Sequence, residues 1–218
     1  MAEKKKIAKE KESEIYKKLK KYALILIWLG VLVVVFVVIY SIFQGVGKIE
    51  YKGLTFIKEK YGEVIIYHYS YTTELSDGTL RRVEVLLRGN PIENNISVEG
   101  KIIYPAGKTV FLSINGTGMK NCEYDVIGLG TFSLFMANNG FVLKAGPSDK
   151  EEAQTKNQTY ITCEKYPNNM VLSLKAGNES KIEQVSQLCY NLEVAECDIL
   201  PIMEKFIVQS ILDAKESS

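Results

Sequence analysis

Residues 22 to 47 carry no charge, and Tyr22-Ala-Leu-Ile-Leu-Ile-Trp-Leu-Gly-Val-Leu-Val-Val-Val-Phe-Val-Val-Ile-Tyr40 is an almost unbroken apolar run. About 20 apolar residues at about 1.5 Å each cross a bilayer core, so the pattern predicts a transmembrane helix over 22–44. Its flanks set the orientation. Lys4, Lys5, Lys6, Lys9, Lys11, Lys17, Lys18, Lys20 and Lys21 precede it, and the next positive residues after it are Lys48 and Lys52. Lysine excess stays inside, which predicts a cytoplasmic tail over 1–21 and an extracytoplasmic segment from residue 45, in a single-pass cell-membrane protein. A cleaved signal peptide has an apolar region of about 7–15 residues before a small-residue site. This run is longer, and Tyr40-Ser-Ile-Phe-Gln-Gly-Val-Gly is a poor site.

Beyond the span the pattern predicts a mixed α/β fold in two stretches, a β region over 45–105 and an α/β region over 106–218. Val64–Tyr71 and Arg82–Leu87 flank Leu75-Ser-Asp-Gly78, a hairpin signal, and alternation puts Val83, Val85 and Leu87 on one face. A further strand is expected over Val98–Tyr104. Thr109–Ile114 is short and nearly all apolar, as in a strand covered on both faces. A helix over about 123–137 follows, closed by Asn138-Asn-Gly140, and Phe141–Leu143 returns as a strand to complete a βαβ unit. Ser148-Asp-Lys-Glu151 reads as a capping box, Thr159–Thr162 as a third strand, and 170–175 and 189–194 as further strands. The last helix is capped by Asp198. Its Ile199, Ile202, Met203, Phe206, Ile207 and Ile211 fall on one face, with Glu204, Lys205, Gln209 and Asp213 opposite.

Composition adds the compartment. Cys122, Cys163, Cys189 and Cys197 all lie in the exterior segment, an even count that reads as disulfides. Three connectivities are open. Cys122 and Cys163 both follow predicted strands, which favours 122–163 and leaves 189–197, feasible if the intervening segment bends. The acceptor triplets at Asn95, Asn115, Asn157 and Asn178 also fall outside, in loop-like stretches suited to glycans. The near balance of 27 basic and 26 acidic residues hides a basic tail and a mildly acidic exterior. Glu10, Glu12 and Glu14 offset the tail lysines, so nucleic acid is not an expected partner. The expected partners are the lipid bilayer and cell-surface or membrane proteins.

The motifs Tyr51-Lys-Gly-Leu-Thr-Phe56, Tyr67-His-Tyr69, Leu87-Arg-Gly-Asn-Pro91 with Asn95 and Val98-Glu-Gly100, the four cysteines and Glu204-Lys-Phe-Ile207 together resemble a family. It is a group of single-pass membrane proteins from archaea with small genomes, to which no activity is attached. The resemblance covers most of the exterior segment. The family loop is closer to Arg-Asn-Asp-Pro-Arg, and Arg88-Gly-Asn-Pro-Ile92 departs from it at three positions.

Catalytic chemistry finds little support. There is one histidine, His68, no Cys-x-x-Cys for structural zinc and no Gly-x-Ser-x-Gly elbow. Asn115-Gly-Thr-Gly-Met119 precedes a predicted helix, but it lacks the third glycine and the lysine of a phosphate loop. No catalytic residue, cofactor or metal is expected. The candidate binding residues are Arg88 and Asn90 in the loop and the stripe Tyr67, Tyr69 and Tyr71, because exposed aromatic residues are enriched at interfaces. The sequence therefore predicts a membrane-anchored, cell-surface binding or structural module. The alternatives are an extracytoplasmic carboxylate-dependent hydrolase and an accessory subunit of a membrane complex.

Overall fold

A computed structural model describes residues 20–22, 24, 26–40, 47–75, 78–105, 107–117, 119 and 125–217. They form two compact units, Met1–Lys48 and Ile49–Ser218, divided where the charge-free run ends. In the first, helix α1 (Lys20–Tyr40) is long and apolar enough to cross a membrane, and its side chains are exposed. The end of the predicted span, 41–44, lies outside the described residues.

The second unit is mixed α/β, as the pattern predicts. Its first sheet is four-stranded, ordered β1 (Lys48–Tyr51), β2 (Leu54–Tyr61), β3 (Val64–Glu74) and β4 (Leu80–Leu87). β3 pairs antiparallel with both neighbours, and the expected hairpin is β3–β4 with Gly78 at φ 78° in its turn. Val83, Val85 and Leu87 do share one buried face, joined by Leu54, Phe56 and Tyr67.

The second sheet has six strands: β5 (Ser97–Glu99), β6 (Thr109–Ile114), β7 (Val142–Pro147), β8 (Met170–Ala176), β9 (Lys181–Ser186) and β10 (Cys189–Val194). Their spatial order is β5-β9-β10-β8-β6-β7. Helix α2 (Asp125–Asn138) connects β6 to its parallel neighbour β7, which is the expected βαβ unit. β6 is buried on both faces: Val110 and Leu112 enter the main core, and Phe111 joins Ile161 and Val171 in a smaller cluster behind the sheet.

Helix α4 (Ile199–Glu216) unites the unit. It packs on α2 and touches β9 and β10, while α2 touches β4 and β7, so one core contains residues of both sheets. Gly128 permits the close approach, because a Cβ there would lie 2.9 Å from the Leu200 backbone. The apolar stripe of α4 is buried as its spacing predicts, and Phe206 meets Phe132 and Tyr190 edge-on. The opposite face departs from expectation. Glu204, Lys205 and Asp213 are at most 9% exposed, because the chain between the two sheets lies over them.

Four local expectations are corrected. The strand expected over 98–104 ends at Glu99, because Gly100 turns at φ 96° and the next amides bond to side chains. Residues 159–162 form no strand; Ile161 makes a backbone bond to Pro147 and accepts from the Ser113 hydroxyl, crossing the sheet end. Helix α3 (Lys150–Thr155) is capped by Asp149 rather than Ser148, its carboxylate accepting from the Glu152 amide at 2.7 Å. Asp198 does precede α4, but its carboxylate accepts from the Ser180 hydroxyl and does not cap the helix.

The disulfide expectation is also overturned, since Cys163 joins Cys189. Packing of Ile161 on Phe111 and Val171 carries Cys163 to the start of β8, and Val171 is the register partner of Cys189. β10 runs straight from Cys189 to Val194 and carries the chain about 17 Å away at about 3.3 Å per residue, which excludes 189–197. Cys197 is itself disulfide-bonded, and Cys122 lies outside the described residues.

Phe206→Ala should leave a cavity between both sheets and cost about 3–5 kcal/mol, much of a usual margin of about 5–15 kcal/mol. Thermal unfolding of the second unit, Ile49–Ser218, checks this. An unchanged melting temperature would contradict α4 as the centre of the core.

Candidate functional site

β2 and β3 do not stay together. Their ladder runs from Tyr61↔Val64 to Ile57↔His68, whereas β3 remains paired with β4 as far as Glu74↔Leu80. Where the β2 ladder stops, a groove of about 480 Å³ opens between the end of β3 and the last turns of α4. This size is within the usual range for ligand sites. Aromatic rings dominate it. Tyr69 and Tyr71 stack at 6.0 Å, with Phe56 behind Tyr69, and Tyr104 stacks on Phe141 at 5.2 Å.

Polar groups fix these rings. The Tyr71 hydroxyl donates to Asn139 Oδ1 at 2.7 Å, and the Asn139 amide donates to the Phe135 carbonyl, tying the groove wall to the end of α2. Burial pushes the Tyr71 phenol up to about 12. Burial also raises the Tyr104 phenol, although its bond with Ser210 acts against the shift. Both phenols therefore stay neutral at physiological pH. Glu74 and Lys215 bring one charge of each sign to the groove.

A second cleft, of about 590 Å³, lies beneath the loop that follows β4 and beside the start of α4. Glu204 forms its inner wall. Its carboxylate accepts from the backbone amides of Arg88 at 2.5 Å and Gly89 at 2.9 Å. A Cβ at Gly89 would lie 2.8 Å from the carboxylate oxygen, so a larger residue there would push the Glu204 side chain aside. Lys205 donates to the Asn94 carbonyl, and the Asn94 side chain donates to the Pro201 carbonyl. Burial raises the Glu204 carboxyl to about 7, outweighing the two amide bonds and the Arg88 charge that favour the ionised form.

The predicted binding residues thus divide between two places. Tyr69 and Tyr71 line the groove, whereas Tyr67 is 7% exposed and belongs to the core. Arg88 and Asn90 line the cleft, where Asn90 Oδ1 accepts from the Ile92 amide and its amide group donates to Glu93. His68 points to the other face of β3, between Glu59 at 3.6 Å and Glu84 at 3.9 Å. Asn95, Asn115, Asn157 and Asn178 are all exposed and lie outside strands and helices. Sequence reasoning missed Tyr104, Asn139, Phe141 and Glu204. No local pattern joins the first three to Tyr71, and Glu204 occupies a face whose spacing reads as solvated.

Among the described residues, no group of three or more His, Cys, Asp or Glu side chains is placed to hold a metal ion. No protein-family model, curated protein or solved structure matches the chain.

The Glu204 shift has a signed consequence. Its folded carboxyl retains a proton that the unfolded chain, near the ordinary 4.5, has already lost. The stabilisation it gives is therefore full below about pH 4.5 and is lost as pH rises through about 7. A shift of that size corresponds to roughly 3 kcal/mol at about 1.4 kcal/mol per pH unit. Between pH 5 and pH 8, wild type should lose up to about that much stability relative to Glu204→Gln. Denaturant unfolding at both pH values measures the difference, and a constant gap would contradict the assignment.

Proposed function

We propose that the chain is a membrane-anchored extracytoplasmic binding module, held by α1 with its N-terminus in the cytoplasm, whose ligand occupies the groove beside Tyr69 and Tyr71. One observation carries the reading. Four aromatic rings line a ligand-sized opening beside the stretch of β3 that is not paired with β2. Large rigid rings give contact area at low entropic cost, and a few fixed polar groups around them provide orientation. The apolar helix, the lysine asymmetry and the Cys163–Cys189 disulfide support an oxidising location outside the membrane. Exposed Asn95, Asn115, Asn157 and Asn178 are compatible with glycans there.

The second reading, a carboxylate-dependent hydrolase, is favoured by the Glu204 carboxyl near neutrality in a cleft. Against it, both carboxylate oxygens are occupied by the amides of Arg88 and Gly89, which makes Glu204 the anchor of the loop.

A photo-crosslinking amino acid placed at Thr72 on the groove, or at exposed Val185 on β9 as a control, tests the leading reading in intact cells. Crosslinked products should form from position 72 and not from 185, and protease added outside should digest them. Equal crosslinking from both positions, or products shielded from external protease, would contradict it.

A further inference from the structure

The groove is bordered by an unusual stretch of backbone. In an antiparallel strand, successive residues direct their N–H and C=O groups alternately to the two sides. From Tyr69 to Glu74, β3 keeps its ladder with β4 on one side, while the ladder on the other side has ended at His68. Every second residue of this stretch therefore directs its hydrogen-bonding groups toward the side that β2 has left. Tyr69, Tyr71, Thr72, Thr73 and Glu74 all line the groove.

Proteins usually guard such an edge with lysine, proline or a bulge. Tyr69-Ser-Tyr-Thr-Thr-Glu74 has no lysine and no proline, and its ladder with β4 continues in unbroken register. Tyrosine and threonine also favour the extended conformation. Strand alternation puts Tyr69, Tyr71 and Thr73 on one face, so an incoming strand would present every second side chain to Tyr69, Tyr71, Tyr104 and Phe141. Glu74 and Lys215 leave the groove without a cationic cluster for a phosphorylated ligand.

We infer that the ligand is an extended peptide segment that adds as a strand beside Tyr69–Glu74, with apolar side chains at alternate positions seated on the four rings. The inference rests on the groove being the binding site, and it names the chemistry of the occupant. Main-chain hydrogen bonds supply affinity, and the aromatic floor supplies selectivity for apolar alternation.

The test uses the full chain in lipid nanodiscs, with displayed random peptides about seven residues long as the probe, a typical strand length. Selected sequences should alternate apolar and polar positions. N-methylation of a selected peptide at one alternating set of amides should weaken binding about tenfold or more, from several lost hydrogen bonds. N-methylation of the other set should leave binding unchanged. Ala214→Trp, at an exposed position on the groove wall, should abolish binding without lowering the melting temperature. Equal binding by both N-methylated series, or failure to select any peptide, would overturn the inference. A panel of neutral oligosaccharides separates the two levels of the account. If these perturb the Tyr69 and Tyr71 resonances and peptides do not, the peptide inference falls and the groove stands. If neither class perturbs them, both fall.

Discussion

Between β4 and β6 the chain crosses from one sheet to the other, and among its described residues the three-residue β5 is the one regular strand. Buried backbone groups require partners, and α4 supplies them from the face that would otherwise be solvated. Glu204 accepts from the amides of Arg88 and Gly89, Lys205 donates to the Asn94 carbonyl, and Asp213 accepts from the Ile102 amide at 2.7 Å. Tyr190 completes the set, its hydroxyl accepting from the Ile103 amide and donating to the Lys101 carbonyl. Three charged side chains of one helix are thus spaced to hold one irregular segment. Removing Asp213 would leave the buried Ile102 amide without its partner, at a cost of about 1–3 kcal/mol.

This arrangement also builds the groove. Asp213 and Tyr190 hold residues 101–103, and that positions Tyr104 against Phe141 and Ser210. The same turns of α4 contribute Ser210, Ile211, Ala214 and Lys215 to the groove wall. Lys215 reaches the Gly53 carbonyl at the turn between β1 and β2. The apolar stripe of α4 thus makes the core, while its polar side fixes the crossing segment and one wall of the candidate site.

The sequence revealed the elements whose signals are local. Period-two alternation with Asp-Gly gave β3 and β4, the apolar run of 109–114 with its following helix gave the βαβ unit, and i, i+3, i+4 spacing gave the stripe of α4. β9 was missed because Lys181-Ile-Glu-Gln-Val-Ser186 sends only Ile182 into the core. The 163–189 disulfide was missed because it depends on where Ile161 packs, a contact across the sheet rather than along the chain. Of the candidate site, Tyr69 and Tyr71 were legible from alternation. Tyr104 was not, because the crossing segment that carries it has no regular structure there, nor were Asn139 and Phe141, which follow the end of α2 with no local pattern to join them to Tyr71. Glu204, Lys205 and Asp213 read as a solvated face, since helical spacing gives a side chain's direction and not what covers it.

Amide hydrogen exchange tests most directly whether α4 holds the crossing segment. If the account is right, the amides of Arg88, Gly89 and Ile102 exchange only by the global unfolding that exposes Phe206 and its neighbours in the core. Their opening free energies should then match those of the central turns of α4. Exchange of these three amides through local opening, with free energies near those of exposed loops while α4 stays protected, would contradict it.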